Sequence, residues 1–312
     1  MPRSARKKSA STTARTEVSP EGWLGSLLDR IAGTAPFDVV SDINAEVTAR
    51  LERIPTQLNA YGYDPWGFNF DAMRRALVAC VLIYRYYFRV ETDGIEHLPK
   101  GRVLVIANHA GQVALDAAMI GTATFLESEP PRILRGMGEY WLPTVPFVSV
   151  AMTRTGSVVG TPKNCVDLLR REEAVIAFPE GVRGMNKLYS QRYRLQRFGH
   201  GFMRLALATE TPVVPVAVIG SEEQAPGIAN LKSLGRLLGM PAFPITLTWP
   251  WLGPLGLVPL PVKYRIYFGS PMHFSGDPDE EDAVIRQRVE KVKRTIQAML
   301  DRGVRERSGV FW

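Results

Sequence analysis

Several features are scarce in this sequence, and each scarcity excludes a class of protein. Two cysteines, Cys80 and Cys165, among 312 residues give neither a disulfide framework nor a metal-ligand spacing. A reducing compartment is the default, both read as small core residues, and no metal site is expected. No Gly-x-Ser-x-Gly elbow occurs and neither cysteine lies in a nucleophile motif, which argues against a covalent serine or cysteine intermediate. Residues 1–22 hold no apolar run, so no signal peptide is read there. Arg3, Arg6, Lys7, Lys8 and Arg15 sit among Ser, Thr and Ala, which reads as a disordered basic tail; the same traits also fit an organelle transit peptide. Residues 237–262 contain no charged residue at all, a length that would suit a membrane span. Prolines 241, 244, 250, 254, 259 and 261 forbid a continuous helix, since each interior proline costs about 3 kcal/mol. An apolar loop carrying Trp249 and Trp251 then fits three roles: dipping into a membrane interface, walling an apolar tunnel, or packing over the core. There is no internal repeat.

What is present is apolar and basic. At 46% hydrophobic residues the chain can bury a full core, and a net charge of +7 calls for an anionic partner. A nucleic-acid partner needs a basic stripe with interleaved aromatics; the tail supplies charge without aromatics, so no nucleic acid is expected and a membrane surface is. Ile43, Val47, Leu51, Ile54 and Leu58 recur on one face of an amphipathic helix, and a second helix is predicted over residues 70–88. Its apolar stretch fenced by Arg74, Arg75 and Arg85 is too short to cross a bilayer; a buried helix and a helix lying in the membrane interface both fit.

Beyond residue 88 the pattern alternates. Strands are predicted over residues 103–107, 132–134, 174–178 and 213–219, with an edge strand over 263–268. Helices are predicted over residues 115–126, 202–209 and from Thr161-Pro162, a cap followed by a first-turn proline, to Arg171. A last helix is expected to be capped by Asp277 and to bury Ile285, Val289, Val292, Ile296 and Met299. This is an α/β arrangement: a mostly parallel central sheet flanked by helices, with an N-terminal helical addition. The expected division is a tail over 1–22, a helical and possible membrane-interface segment over 23–88, and an α/β domain over 89–312.

Chemistry concentrates in two segments. Asn108-His109 stands where an apolar strand ends, with Asp116 in the helix that follows. A histidine at a strand exit suits proton transfer, and an acid accepting its second N–H would fix the tautomer. Phe178-Pro179-Glu180-Gly181-Val182-Arg183 follows a second buried strand, and the planar fork of arginine matches phosphate or carboxylate. Lys187, Arg192, Arg194 and Arg197 add positive charge; for Arg192 and Arg197 a solvated face is the favoured reading. His97, in a turn over residues 94–99, and His273 read as solvated, while His200 between two glycines is a weaker second-site candidate.

Together these segments resemble the phospholipid and glycerol acyltransferase superfamily. Its first block is Asn-His followed by an acid. Its second, an arginine near a glycine, is matched by Met152-Thr153-Arg154-Thr155-Gly156. Its third is Phe-Pro-Glu-Gly-x-Arg-Ser, and its fourth is matched by Val213-Val214-Pro215-Val216. The blocks occur in family order over about residues 90–220. Two positions depart. The usual spacing is His-x4-Asp, whereas position 114 is alanine and the acid is Asp116; Gly184 replaces the final serine of the third block. Two extra residues add up to about 7 Å of reach, and a turn at Gly111 would let Asp116 meet His109.

The resemblance implies an O-acyltransferase that moves a fatty acyl group from acyl-CoA or acyl carrier protein to a hydroxyl of a lysophospholipid or glycerolipid. His109 and Asp116 would be catalytic, and Glu180, Gly181, Arg183 and Arg154 would bind substrate. Arg154 as a surface residue remains equally open. Backbone N–H groups near Gly181 or Gly111 would meet the oxyanion. It implies no cofactor beyond the acyl donor as co-substrate, and a peripheral or monotopic place on the cytoplasmic face of a membrane. A non-catalytic lipid-binding or membrane-shaping protein that keeps the fold is the alternative.

Overall fold

The computed structural model describes residues 36–110, 115–140, 148–237 and 243–312. By packing the chain divides into Met1–Asp42 and Ile43–Trp312. Of the first unit, residues 36–42 are described and open a helix. The expected basic tail over 1–22, the start of the segment from residue 23, and Gly111 lie outside the described residues.

The helices are α1 (Pro36–Leu51), α2 (Phe70–Leu82), α3 (Leu115–Glu127), α4 (Val148–Arg154), α5 (Pro162–Arg170), α6 (Val182–Met185), α7 (Gly201–Ala208), α8 (Lys232–Leu237) and α9 (Asp282–Glu306). The strands are β1 (Glu91–Asp93), β2 (Val103–Ala107), β3 (Leu134–Gly138), β4 (Val158–Val159), β5 (Ala174–Ala177), β6 (Val213–Ile219), β7 (Gly227–Leu231), β8 (Phe243–Thr246) and β9 (Arg265–Phe268). Seven strands form one sheet in the order β1-β9-β6-β2-β5-β3-β4, and β7 pairs with β8 apart from it. Pairing is parallel from β6 through β2, β5 and β3 to β4, while β9 runs antiparallel to β6 and parallel to β1.

Strand periodicity splits the core into two layers. Val103, Val105 and Ala107 of β2 face one side with Val214, Val216 and Val218 of β6; Leu104, Ile106, Ala217 and Ile219 face the other. The first side packs against Ile43, Val47 and Leu51, against Leu77 and Val81 of α2, and against Met119, Ile120 and Ala123 of α3. Residues 43–88 therefore share the apolar layer of the sheet, and no packing boundary falls at residue 88. The second side packs against Leu168 and Leu169 of α5, Met203 and Ala206 of α7, and Ile285, Val289, Val292 and Ile296 of α9.

Local signals explain most boundaries. Thr161 accepts from Asn164 N at 3.1 Å with Pro162 opening the helix, and Asn69 caps α2 by accepting from Ala72 N at 3.0 Å. The apolar stretch of α2 lies against the core. After Leu82 the chain widens into a π-turn over Ile83–Tyr87, with Tyr84 buried.

Several expectations need correction. The first helix stops at Leu51, and Ile54 and Leu58 reach the core from irregular chain instead. The third strand is Leu134–Gly138, two residues later than expected, because Arg132 is drawn off to the carbonyls of Lys100 and Gly101. β9 is not an edge strand: β1 covers its free side. The last helix starts at Asp282, because the side chains of Asp277 and Glu280 close a separate turn, accepting from Asp279 N and Asp277 N. His97 is not solvated, since its Nδ1 lies 2.9 Å from Phe268 O. No described helix is long and apolar enough to cross a membrane.

Candidate active site

The site forms where β2 and β5, neighbours at the centre of the sheet, end side by side. Asn108 extends the pairing of β2 with β6 by one side chain: its Nδ2 donates to Val218 O at 3.1 Å and its Oδ1 accepts from Val218 N at 2.8 Å. That lock fixes the direction in which His109 leaves the sheet. The His109 amide donates to Glu180 Oε1 at 3.0 Å, tying the end of β2 to the loop after β5. The His109 ring stacks on Phe178, centroids 4.2 Å apart and planes 26° from parallel.

Asp116 sits in the first turn of α3 and is fully buried. Its Oδ2 lies 2.8 Å from His109 Nδ1 and accepts from Ala110 N at 2.9 Å; its Oδ1 accepts from Ala117 N at 2.8 Å. The lengthened spacing therefore still brings acid and histidine together. Three donors and the positive end of the helix converge on this carboxylate. Burial disfavours a charged His109 ring, but the charge of Asp116, its hydrogen bond and the charge of Glu180 outweigh burial and raise the ring's pKa. With Nδ1 given to Asp116, no hydrogen bond among the described residues occupies Nε2.

Glu180 is a buried brace. Besides the His109 amide it accepts from Gln196 N at 2.6 Å, and Lys187 Nζ stands 3.6 Å from its Oε2. Lys187 donates to Glu222 Oε1 at 2.8 Å and is itself buried. A neighbouring network joins Tyr193 OH to Glu223 at 2.8 Å and to Gly220 N at 2.9 Å, with Arg307 forked onto the Glu223 carboxylate. Sequence reasoning missed the roles of Asn108, Phe178, Glu222, Glu223, Tyr193 and Arg307, and counted Lys187 only as positive charge beside the Arg183 loop. The one signal available was that Glu222 and Glu223 come just after Gly220-Ser221 at the end of an uninterrupted apolar strand.

The glycines of the third block have structural causes. Gly181 adopts φ +55°, a conformation that favours glycine, and its N–H donates to Phe178 O at 2.9 Å. That amide is thus occupied and is not available to an oxyanion. A Cβ on Gly184 would stand 2.6 Å from His109 O and 2.9 Å from Glu180 Cβ, so the serine of the family block has no room here. The two departures from the family pattern lie against the same residue, His109.

The arginines are placed differently. Arg183 is exposed on α6, and its guanidinium donates only to Arg197 O, at 3.2 Å, among the described residues. Arg154, ending α4, lies 4.1 Å over the Tyr63 ring, and no described hydrogen bond or ion pair ties it to His109 or Glu180. A cavity of about 120 Å³, lined by Gly138, Glu139, Met152 and Val158 among others, borders the Gly181 turn through Glu139. His200 is drawn toward Asp282, 3.8 Å away, remote from His109 in its contacts. Cys165 is buried and its thiol is pushed up to about 11, which leaves it unreactive.

A family model described as Acyltransferase matches residues 89–219, the span that holds β2, β5, β6 and the buried His–Asp pair. The 1-acyl-sn-glycerol-3-phosphate acyltransferase LPAT1, chloroplastic, of Arabidopsis thaliana is 25% identical over 57% of this chain and 50% of its own length. This chain belongs to the phospholipid and glycerol acyltransferase superfamily. The chain has a relative in Mycobacterium tuberculosis, an uncharacterized protein 35% identical over 98% of this chain and 82% of its own. A mouse "DGAT1/2-independent enzyme synthesizing storage lipids" is 24% identical over 68% of this chain and 60% of its own length. The crystal structure of a 1-acyl-sn-glycerophosphate acyltransferase from Thermotoga maritima is similar at TM-score 0.49 and 17% identity, over 76% of this chain and 81% of that one.

Proposed function

We infer that the protein transfers a fatty acyl group from acyl-CoA or acyl carrier protein to a hydroxyl of a lysophospholipid or related glycerolipid, with His109 as general base. The observation that carries this is the buried Nδ1–Asp116 pair at 2.8 Å at the sheet end, with no hydrogen bond to Nε2 among the described residues. Nε2 takes the proton of the acceptor hydroxyl as its oxygen attacks the thioester carbonyl. The new O–C bond forms, the C–S bond breaks, and the departing thiolate recovers the proton from Nε2. Asp116 stabilises the imidazolium between these two steps and fixes its tautomer. Glu180 and Lys187 position His109 rather than touch substrate, as the burial of both side chains supports. Names of similar proteins that act on 1-acyl-glycerol 3-phosphate or make storage lipids agree with a glycerolipid acceptor.

Arg183 is the candidate for the acceptor's anionic group, being exposed on the loop that braces His109. Arg154 is the weaker candidate, because its guanidinium already faces Tyr63. The protein works as a peripheral membrane enzyme with lipid and acyl donor as partners and no cofactor. The test is to incubate it with radiolabelled acyl-CoA and a panel of lysolipids and to repeat the panel with Arg183→Ala. A product formed from lysophosphatidate, with KM raised by the substitution, supports the reading. A product formed only from uncharged acceptors sinks the role given to Arg183, and no product from any acceptor sinks the enzyme.

A further inference from the structure

The charge-free segment has a shape that its composition alone left open. After β7 and β8 pair, the chain from Leu247 to Val258 folds back over a short turn of 3-10 helix at Gly253–Leu257. Its large apolar side chains point outward rather than into the core. Leu255 is 73% exposed and Trp251 68%, and Leu247, Leu252, Leu257 and Val258 are each more than half exposed. Scattered single hydrophobes on a surface need no explanation, whereas a cluster of this kind does.

The backbone of the loop says what covers it. Thr246 N donates to Trp249 O, Leu252 N to Thr248 O, Gly253 N to Pro250 O and Val258 N to Leu255 O, all within 2.8–3.1 Å. Side chains serve the same end: Trp249 N donates to Thr246 Oγ1 at 2.9 Å, Thr248 Oγ1 to Gly256 O at 2.9 Å, and the Trp251 indole to Thr246 O at 3.2 Å. Pro250, Pro254 and Pro259 have no N–H to satisfy. A protein partner would be met by polar groups, about one hydrogen bond per 100–200 Å² of interface. A hydrocarbon phase demands the opposite, that polar groups be satisfied internally. The named donors of this loop are met in that internal way. At its base Arg89 donates to Pro261 O at 2.7 Å, which sets a cation where headgroups would lie.

We propose that the loop over residues 247–258 is the element by which this protein inserts into one leaflet of a lipid bilayer, docking the site at the membrane surface. The proposal deepens the lipid acyltransferase reading and rests on it for its purpose. The link to the site is short: Asn230 of β7 donates to Asn186 O at 2.6 Å, and Asn186 ends α6, which carries Arg183. The bilayer would thus lie beside the loop that braces His109, and a lysolipid could reach it without leaving the surface.

The test uses the full chain and neutral phosphatidylcholine vesicles at about 1 M salt, where screening within about 3 Å mutes the basic residues. Co-sedimentation is compared for wild type and Leu252→Glu/Leu255→Glu, both exposed positions at which glutamate leaves the fold intact, checked by an unchanged Tm. Activity on a short-chain, water-soluble acceptor is measured in parallel. The proposal predicts wild-type binding and a loss of at least about tenfold per substituted leucine, with activity on the soluble acceptor unchanged. Undiminished binding by the variant overturns it, as does a wild type that ignores vesicles and forms a dimer which the substitutions dissolve. If binding is lost as predicted while neither protein transfers acyl groups, docking stands and the enzymatic reading fails.

Discussion

Replacing Asp116 with asparagine probes the site at its tightest point. The carboxylate receives three donors, His109 Nδ1–H and Ala110 N on Oδ2 and Ala117 N on Oδ1. An amide brings one oxygen and one NH2 group. With its oxygen toward Ala117, the NH2 faces both Ala110 N–H and the ring, and the ring must turn Nδ1 into an acceptor. The proton then resides on Nε2, which can no longer act as base. With its oxygen toward the ring, the NH2 confronts Ala117 N–H, and a buried donor is left unmade at about 1–3 kcal/mol. Proper positioning and protonation of a general base contribute about 10²–10⁴ in rate, so kcat should fall by that order. The pH dependence should change as well. Asp116 helps raise the His109 pKa, so wild-type activity rises with pH through a value above the ordinary histidine one. The variant's acid limb should move to lower pH. Linkage has the matching sign: the stabilisation of charged His109 is complete below the unfolded-state pKa and is lost as pH rises through the folded one. Initial rates against pH for both proteins decide the matter. An acid limb that stays in place, with kcat within a few-fold of wild type, would refute the reasoning.

Other substitutions probe the supports. Gly184→Ser restores the family residue but sets its Cβ 2.6 Å from His109 O, so it should cost about 1–3 kcal/mol in thermal unfolding and lower kcat by displacing His109. Lys187→Met leaves Glu222 and Glu180 buried without their cation, and a loss of about 3–5 kcal/mol in denaturant unfolding is expected. Asn108→Ala frees the Val218 amide and carbonyl and should cost about 2–4 kcal/mol for two unmade bonds, with a drop in kcat that a purely global destabilisation would not cause below Tm. Phe178→Leu keeps bulk but removes the ring stack, worth about 0.5–1.5 kcal/mol, and should raise the mobility of the His109 ring as read by NMR line shape.

How much was legible in the sequence follows from the range of each signal. β2, β5 and β6 announced themselves as apolar runs because both their faces are buried. The start of α5 was readable because Thr161-Pro162 is a local device. The antiparallel insertion of β9 between β1 and β6 was not, since a four-residue alternation looks the same at an edge or inside a sheet. The start of α9 was misjudged because Asp277 and Pro278 open a plausible helix that the turn around Glu280 intercepts. His109 and Asp116 were legible as residue types, and their contact as a possibility allowed by loop length. The brace behind them was not: Asn108, Glu180 and Glu222 come from just past the ends of β2, β5 and β6 and Lys187 from just past α6, and contact across such separations leaves no local trace. The buried Lys187 shows why a run of basic residues cannot be read as uniformly solvated.

The measurement closest to the centre of this account is the initial rate of acyl transfer from radiolabelled acyl-CoA to a lysolipid by wild type and by His109→Ala, both shown to be folded. If Nε2 of His109 is the base, the wild type forms labelled product and the variant is slower by about 10²–10⁴ at every pH. Transfer by His109→Ala at a rate comparable to wild type would contradict it.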